Sequence, residues 1–183
     1  MTTTAAASTA TTAWIADPVH SGADFAVRHM VVSTFRGGFA DVRGSLDLSG
    51  DEPALSGQVA VESVQVKDEN LHGPLQGPDF FDSERHPEVS FVSTSVRRGD
   101  GDAVSIEGDL TIKGVTRPVV ATGTWTEIEA DITGAPRIGI DLDTTIDRTA
   151  HGLSWNAPLP KGGFALANDV ALSVHLEFVP AQG

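Results

Sequence analysis

Apolar residues recur at every second position through most of this chain, the signature of strands with one buried face. Ala23, Phe25 and Val27 alternate with Asp24 and Arg28. Ala40, Val42, Leu46 and Leu48 alternate with Asp41, Arg43, Ser45 and Asp47. Val59 and Val61 share one parity, Val64 and Val66 the other, and this one-residue phase shift predicts a β-bulge. Val89 and Phe91 begin a fourth strand. Val104, Ile106, Leu110 and Ile112 form a fifth, and residues 117–126, with Val119, Ala121 and Trp125, a sixth. Ile138, Ile140, Leu142 and Ile146 alternate with Asp141, Asp143 and Thr145. Val170, Leu172, Val174, Leu176 and Phe178 alternate with Asp169, Ser173, His175 and Glu177, the cleanest run in the chain.

Turn chemistry separates these segments: Ser49-Gly50-Asp51, the stretch from Arg98 to Asp102, Lys113-Gly114, and Thr133-Gly134-Ala135-Pro136. The gaps are too short for crossover helices, so neighbouring strands pair antiparallel. The expected fold is all-β. A meander of about eight strands over residues 20–179 must manage its edges, and closure into an up-and-down barrel removes them. A β-sandwich is the alternative.

Two long connections interrupt the rhythm: residues 67–83 and 147–167. Loops of that length in a compact domain are commonly functional. The first carries Leu71, Leu75, Phe80 and Phe81, and the second Leu153, Trp155, Leu159 and Phe164. Either they plug the end of a barrel as core, or they shape the entrance to a cavity. Asp68-Glu69-Asn70 can open a short helix through Leu75, which Gly73 and Pro74 keep brief. Phe80 and Phe81 are adjacent, so one is expected to point into the barrel mouth while the other braces the loop.

Composition narrows the function. Of 183 residues 40% are hydrophobic, enough for a core, and 12 Lys+Arg against 25 Asp+Glu give a net charge of −13. Such a chain repels phosphate backbones, so nucleic acid is an unsuitable partner. The absence of Cys removes disulfides, thiolate metal sites and thiol nucleophiles together. No run of apolar residues is long enough to span a membrane as a helix. Residues 1–13 read as a disordered, low-complexity tail, with the folded domain over 14–183. This start has no basic n-region and no leucine-rich stretch, so it does not read as a secretory signal, and a cytoplasmic location is the expectation.

Six ordered motifs resemble one family. Asp17-Pro18-Val19-His20-Ser21 precedes Phe25-Ala26-Val27-Arg28-His29-Met30. Phe35-Arg36-Gly37-Gly38-Phe39 follows, then, as one motif, Asp79-Phe80-Phe81-Asp82 with His86-Pro87-Glu88-Val89-Ser90-Phe91. The stretch from Gly108 to Pro118 (GDLTIKGVTRP) and Ile146-Asp147-Arg148 ahead of Gly152 complete the set. Spread over residues 14–179, they resemble the YceI-like, polyisoprenoid-binding proteins. The resemblance implies a lipocalin-like, eight-stranded antiparallel barrel that holds a long isoprenoid or other amphipathic lipid. Two departures lie in the long connections. The family's His-Leu pair is here Pro74-Leu75, and His151 precedes Gly152 where the family carries an aromatic nearby.

An apolar tube for such a chain needs inward residues without unsatisfied polar atoms. The candidates are Phe25, Val27, Phe39, Phe91, Leu110, Ile112, Ile140, Leu142, Leu172, Val174 and Leu176 on strands, with Leu75, Phe80, Phe81, Trp155 and Phe164 from the connections. Any of these could equally be plain core. Arg36 and Arg148, beside glycine-rich or aromatic turns, and His20 and His29, near the first strand, are candidate contacts to a lipid head. Arg148 could instead hold a strand carbonyl or Asp147 to fix a corner. His72, His86, His151 and His175 lack metal-ligand spacing, and no motif requires a metal or cofactor. Ser33, Ser90 and Ser154 sit in no nucleophile elbow, so no catalytic residue is assigned. Three functions remain: a lipid carrier, an enzyme acting on a barrel-bound lipid or quinone, and a barrel filled by its own side chains. A homodimer is left open.

Overall fold

The computed structural model describes residues 12–181. Most of the expected tail, residues 1–11, lies outside the described residues, as do residues 182–183. Eleven strands are β1 (Ala13–Ala16), β2 (Gly22–His29), β3 (Ser33–Phe39), β4 (Val42–Asp47), β5 (Ala54–Ala60), β6 (Val64–Val66), β7 (Glu88–Arg98), β8 (Ala103–Ile112), β9 (Val115–Ile128), β10 (Arg137–Asp147) and β11 (Leu166–Pro180). Ala13, which the sequence reading placed in the tail, opens β1. The α-helix among the described residues is one turn, α1 (His72–Gln76), led in by a 3₁₀ turn at Glu69–Leu71 whose Asp68 carboxylate accepts the Asn70 amide. It falls where Asp68 and Pro74 predicted it. No helix among the described residues is long and apolar enough to cross a membrane.

β1 pairs antiparallel with both β4 and the end of β11, so β1, β4, β5, β7, β8, β9, β10 and β11 close into an eight-stranded antiparallel barrel. The sandwich alternative is thereby excluded. β2 takes over from β1 along β11, β3 pairs with β2, and β6 pairs with β3. These three strands prolong β1, β4 and β5 toward one end of the barrel. Three of the eight staves are therefore broken in the middle. The phase shift between Val61 and Val64 is not a bulge but one of these breaks. A 3₁₀ turn at Val61–Ser63 rotates the chain so that both valines are 1% exposed. β1 and β3 were not foreseen. The former is only four residues long, and the glycines of Arg36-Gly37-Gly38 resembled a turn.

The wall parts toward that end. The β9–β10 ladder stops at Thr122↔Asp143, after which β9 continues with β8 alone and β10 with β11 alone. Gly123 sits one residue before the split, where a Cβ would fall 1.8 Å from the Asp141 carbonyl oxygen, so only glycine permits the approach. A second gap opens where the β5–β7 ladder ends at Ala60↔Glu88, since β6 has no ladder partner besides β3 among the described residues. The connection carrying α1 fills this gap.

Two hydrophobic clusters result. At the closed end Trp14, Leu46, Leu55, Ile106, Trp125, Ile138, Ile140 and Phe178 pack together, and Phe178, Ile106 and Ile140 are 0% exposed. Arg98 lies over the Trp125 ring, 5.0 Å from its centroid, and shares Glu127 with the indole N–H. Arg137 binds Asp131, Asp17 and Glu177 on the outside of the same end. The Thr133 hydroxyl and amide, and then Arg137, hold the Asp131 carboxyl far below the usual carboxylate range. The other cluster, Val27, Leu110, Ile112, Ile146, Leu153 and Val170, lines the open end without filling it.

Candidate functional site

Inside the open half lies a cavity of about 660 Å³. Its walls come from β2, β3, β4, β5, β7, β8, β9, β10 and β11, whose inward residues are mostly apolar. Phe25, Phe39 and Phe81 form a ring cluster on one side, with centroids 5.8 Å apart for Phe25–Phe39 and 5.6 Å for Phe39–Phe81. Gly37 makes room for it, because a Cβ there would lie 2.5 Å from the Phe25 ring.

Both long connections cover this end. Phe81 points in, against Phe25 and Phe39, while Phe80 stacks on Trp155 of the other connection at 5.3 Å. The adjacent phenylalanines thus pack in different directions, as expected, although both border the cavity. Lys113, in the β8–β9 turn, donates to Pro78 O at 2.5 Å and Gly152 O at 3.4 Å, one carbonyl from each connection. This clasp was missed because a lysine beside a turn glycine reads as a solvated hairpin tip.

Arg148 takes the corner-fastening role considered for it, through strand and loop carbonyls and not Asp147. It opens the 3₁₀ turn after β10 and is 6% exposed. Nε donates to Ala167 O at 2.8 Å, and Nη1 donates to Leu153 O at 2.5 Å and Trp155 O at 2.9 Å, which pins the second connection to the barrel. Nη2 is buried and has no hydrogen-bond partner among the described residues. Burial pulls the guanidinium below the ordinary arginine value, and Asp147 pulls it partly back. A buried cation with an unmatched N–H₂ in the wall of an apolar cavity is costly unless an acceptor meets it.

Of the residues predicted from sequence, Phe25, Val27, Phe39, Leu75, Phe80, Phe81, Phe91, Leu110, Ile112, Leu142, Trp155, Leu172, Val174 and Leu176 line the cavity, as do His29 and Arg148. Ile140 does not. It faces inward but lies in the closed-end core. Phe164 stands in the second connection facing solvent, 62% exposed. Arg36 lies within β3 on the outer face, and not in a turn at the mouth. His20 sits outside, beside Asp17 and Glu177, near Arg137. The ligand atoms of Asp17, His20 and Glu177 lie within 4.8 Å of one another, but Arg137 already supplies a cation to both carboxylates. Sequence reasoning overlooked Phe35, which faces inward from unforeseen β3, and left Leu71 and Leu166 out of the lining set.

The YceI-like domain family matches residues 14–178, nearly the whole described barrel. The chain belongs to the YceI-like family. A UPF0312 protein of Staphylococcus aureus strain USA300 is 29% identical over 167 residues, covering 88% of this chain and 94% of that protein. Among solved structures, Burkholderia cenocepacia BcnA superposes with a TM-score of 0.75 at 22% identity, over 88% of this chain and 98% of BcnA. A polyisoprenoid-binding domain from Saccharophagus degradans superposes with a TM-score of 0.72 at 12% identity, over 93% and 99% of the two chains. These likenesses share the fold. Where this YceI-like chain departs from the family pattern, Leu75 is buried at the cavity wall, and His151 is 2% exposed with Nδ1 3.0 Å from Val115 O, the ring N–H donating to the carbonyl.

Proposed function

We propose that this YceI-like protein binds and carries a long-chain isoprenoid or similar amphipathic lipid, with the chain in the open half of the barrel and the polar head near Arg148 and His29. The observation that carries this reading is the apolar cavity with one unmatched guanidinium N–H₂ in its wall. Family membership and the polyisoprenoid-binding neighbour support a binding function over catalysis. A space of 660 Å³ accommodates on the order of twenty heavy atoms at about 30 Å³ each. Burying roughly fifteen to twenty methylenes at about 0.8 kcal/mol each supplies more than ~10 kcal/mol gross, before ordering costs. No metal or cofactor is needed for that exchange of water for wall.

Mass spectrometry of an organic extract of the purified protein tests the reading. A co-purified isoprenoid or acyl lipid is expected from the parent and its loss from Leu172→Trp, which fills the cavity from β11. A parent that carries no lipid and takes up no added prenyl probe would refute the proposal.

A further inference from the structure

The rim of the cavity ends in an apolar tip. β2 and β3 are joined by Met30, Val31 and Val32, which are 46%, 72% and 84% exposed. Met30 and Val31 hold φ of 48° and 65°, the left-handed region that a β-branched residue avoids. An exposed valine pair, with Val31 also strained, lowers stability and packs no core, so folding does not explain it. Phe164, exposed, stands one residue before Ala165, whose carbonyl accepts the Met30 amide at 2.7 Å. Trp155, 41% exposed, sits in the same connection and lines the cavity. The neighbours of the tip in the two flanking strands, His29 and Leu166, are also cavity residues.

Two polar atoms of the tip backbone, Met30 N and Val31 O, and one at its base, His29 O, are satisfied from within. Arg28 donates to Val31 O, the Ser33 hydroxyl donates to His29 O at 3.3 Å, and Met30 N donates to Ala165 O. Each backbone group matched within the protein lowers the cost of leaving water for lipid. The tip is a convex projection of three residues, a shape suited to insertion and poor for burying the area a stable protein interface requires. Its setting, continuous with the cavity mouth, is where a bilayer lipid would pass.

The geometry points to a membrane-docking device: the Met30–Val31–Val32 tip, with Phe164 and Trp155, inserts into a zwitterionic bilayer and brings the cavity mouth to the lipid. The charge of −13 selects that surface, since an anionic bilayer repels the chain and apolar insertion must supply the attachment. The inference rests on the lipid-carrier reading for its purpose, and the test separates the two.

Flotation with phosphatidylcholine vesicles, and with the same vesicles doped with phosphatidylglycerol, is compared for the parent and for Val31→Asn/Val32→Ser. Asparagine tolerates the left-handed conformation, so the variant keeps its fold. The parent is expected to float with phosphatidylcholine vesicles and less with doped ones, and the variant to partition on the order of tenfold more weakly. Vesicle-free uptake of a fluorescent prenyl probe is expected to be equal in both. A variant that floats like the parent overturns the inference, as does a parent that floats only with anionic vesicles. A parent dimer in sedimentation that the variant dissociates would assign the tip to self-association and overturn it too. A parent that floats, loses flotation in the variant and binds no prenyl probe upholds the docking and refutes the carrier reading.

Discussion

The two halves of this barrel are built from the same alternation and end up different. In the closed half, continuous ladders draw the staves together, and Trp125, Phe178, Leu46 and Ile106 share one cluster, none more than 1% exposed. In the open half, the β9–β10 ladder stops at Thr122↔Asp143 and the β5–β7 ladder at Ala60↔Glu88, so the walls diverge. Phe25, Phe39, Leu172 and Val174 face inward there as well, yet they line a cavity. Inward-facing apolar residues thus make a core only where backbone pairing brings the opposite wall within van der Waals reach. The connections that close the open half are tied by a few polar bonds, from Arg148 and Lys113, and by the Phe80–Trp155 stack.

The contrast breaks most visibly on truncation. Phe178→Ala leaves a void in a packed core and is expected to cost about 3–5 kcal/mol. Phe25→Ala enlarges a space that already exists and should cost less, about 1–2 kcal/mol. Probe affinity is expected to change only in the second, once Phe178→Ala is measured where it remains folded. Urea titration beside probe binding checks both, and equal costs at the two positions would erase the distinction between the halves. Arg148→Met comes next. It frees three carbonyls at the seam, and a loss of about 3 kcal/mol is expected, together with weaker binding of probes bearing a polar head. Arg148→Lys keeps the charge but not the fork that spans Ala167, Leu153 and Trp155, so it should restore little stability in the same melt. The smallest effect is that of Lys113→Ala. Half-buried and bonded to one carbonyl from each connection, Lys113 is expected to contribute less than about 1 kcal/mol to stability. Its removal should still speed probe release several-fold in stopped flow, because a clasp opposes escape more than encounter. An unchanged release rate would show that the connections are held by Phe80–Trp155 and Arg148 alone.

Much of the fold was legible from local pattern, and what was not legible depends on register. Period two tells which face of a strand looks inward, which is why Phe25, Val27, Leu110 and Val174 were placed on the cavity side. It says nothing about height along the barrel axis. Ile140 and Leu142 have the same parity, but Ile140 lies wholly within the closed-end core, while Leu142, one step further along β10, borders the cavity as well as that core. Phe164 is apolar in a loop, and sequence cannot show which way a loop residue turns. Arg36 resembled a turn residue because two glycines follow it, although those glycines sit in β3 to clear Phe25 on one side and Asp24 on the other. Arg148 was readable as a corner fastener or as a head-group contact. Only the placement of three carbonyls shows that Nε and Nη1 are used and Nη2 is left over.

The central claim is that the open half is a chain-binding space of limited length. Isothermal titration of the parent with a series of prenyl compounds sharing one head group, from one isoprene unit upward, measures it directly. The account predicts affinity that rises with each added unit and levels off near roughly twenty carbons, where the cavity of about 660 Å³ is full at about 30 Å³ per heavy atom. Affinity that is independent of chain length, or no binding at any length, would contradict it.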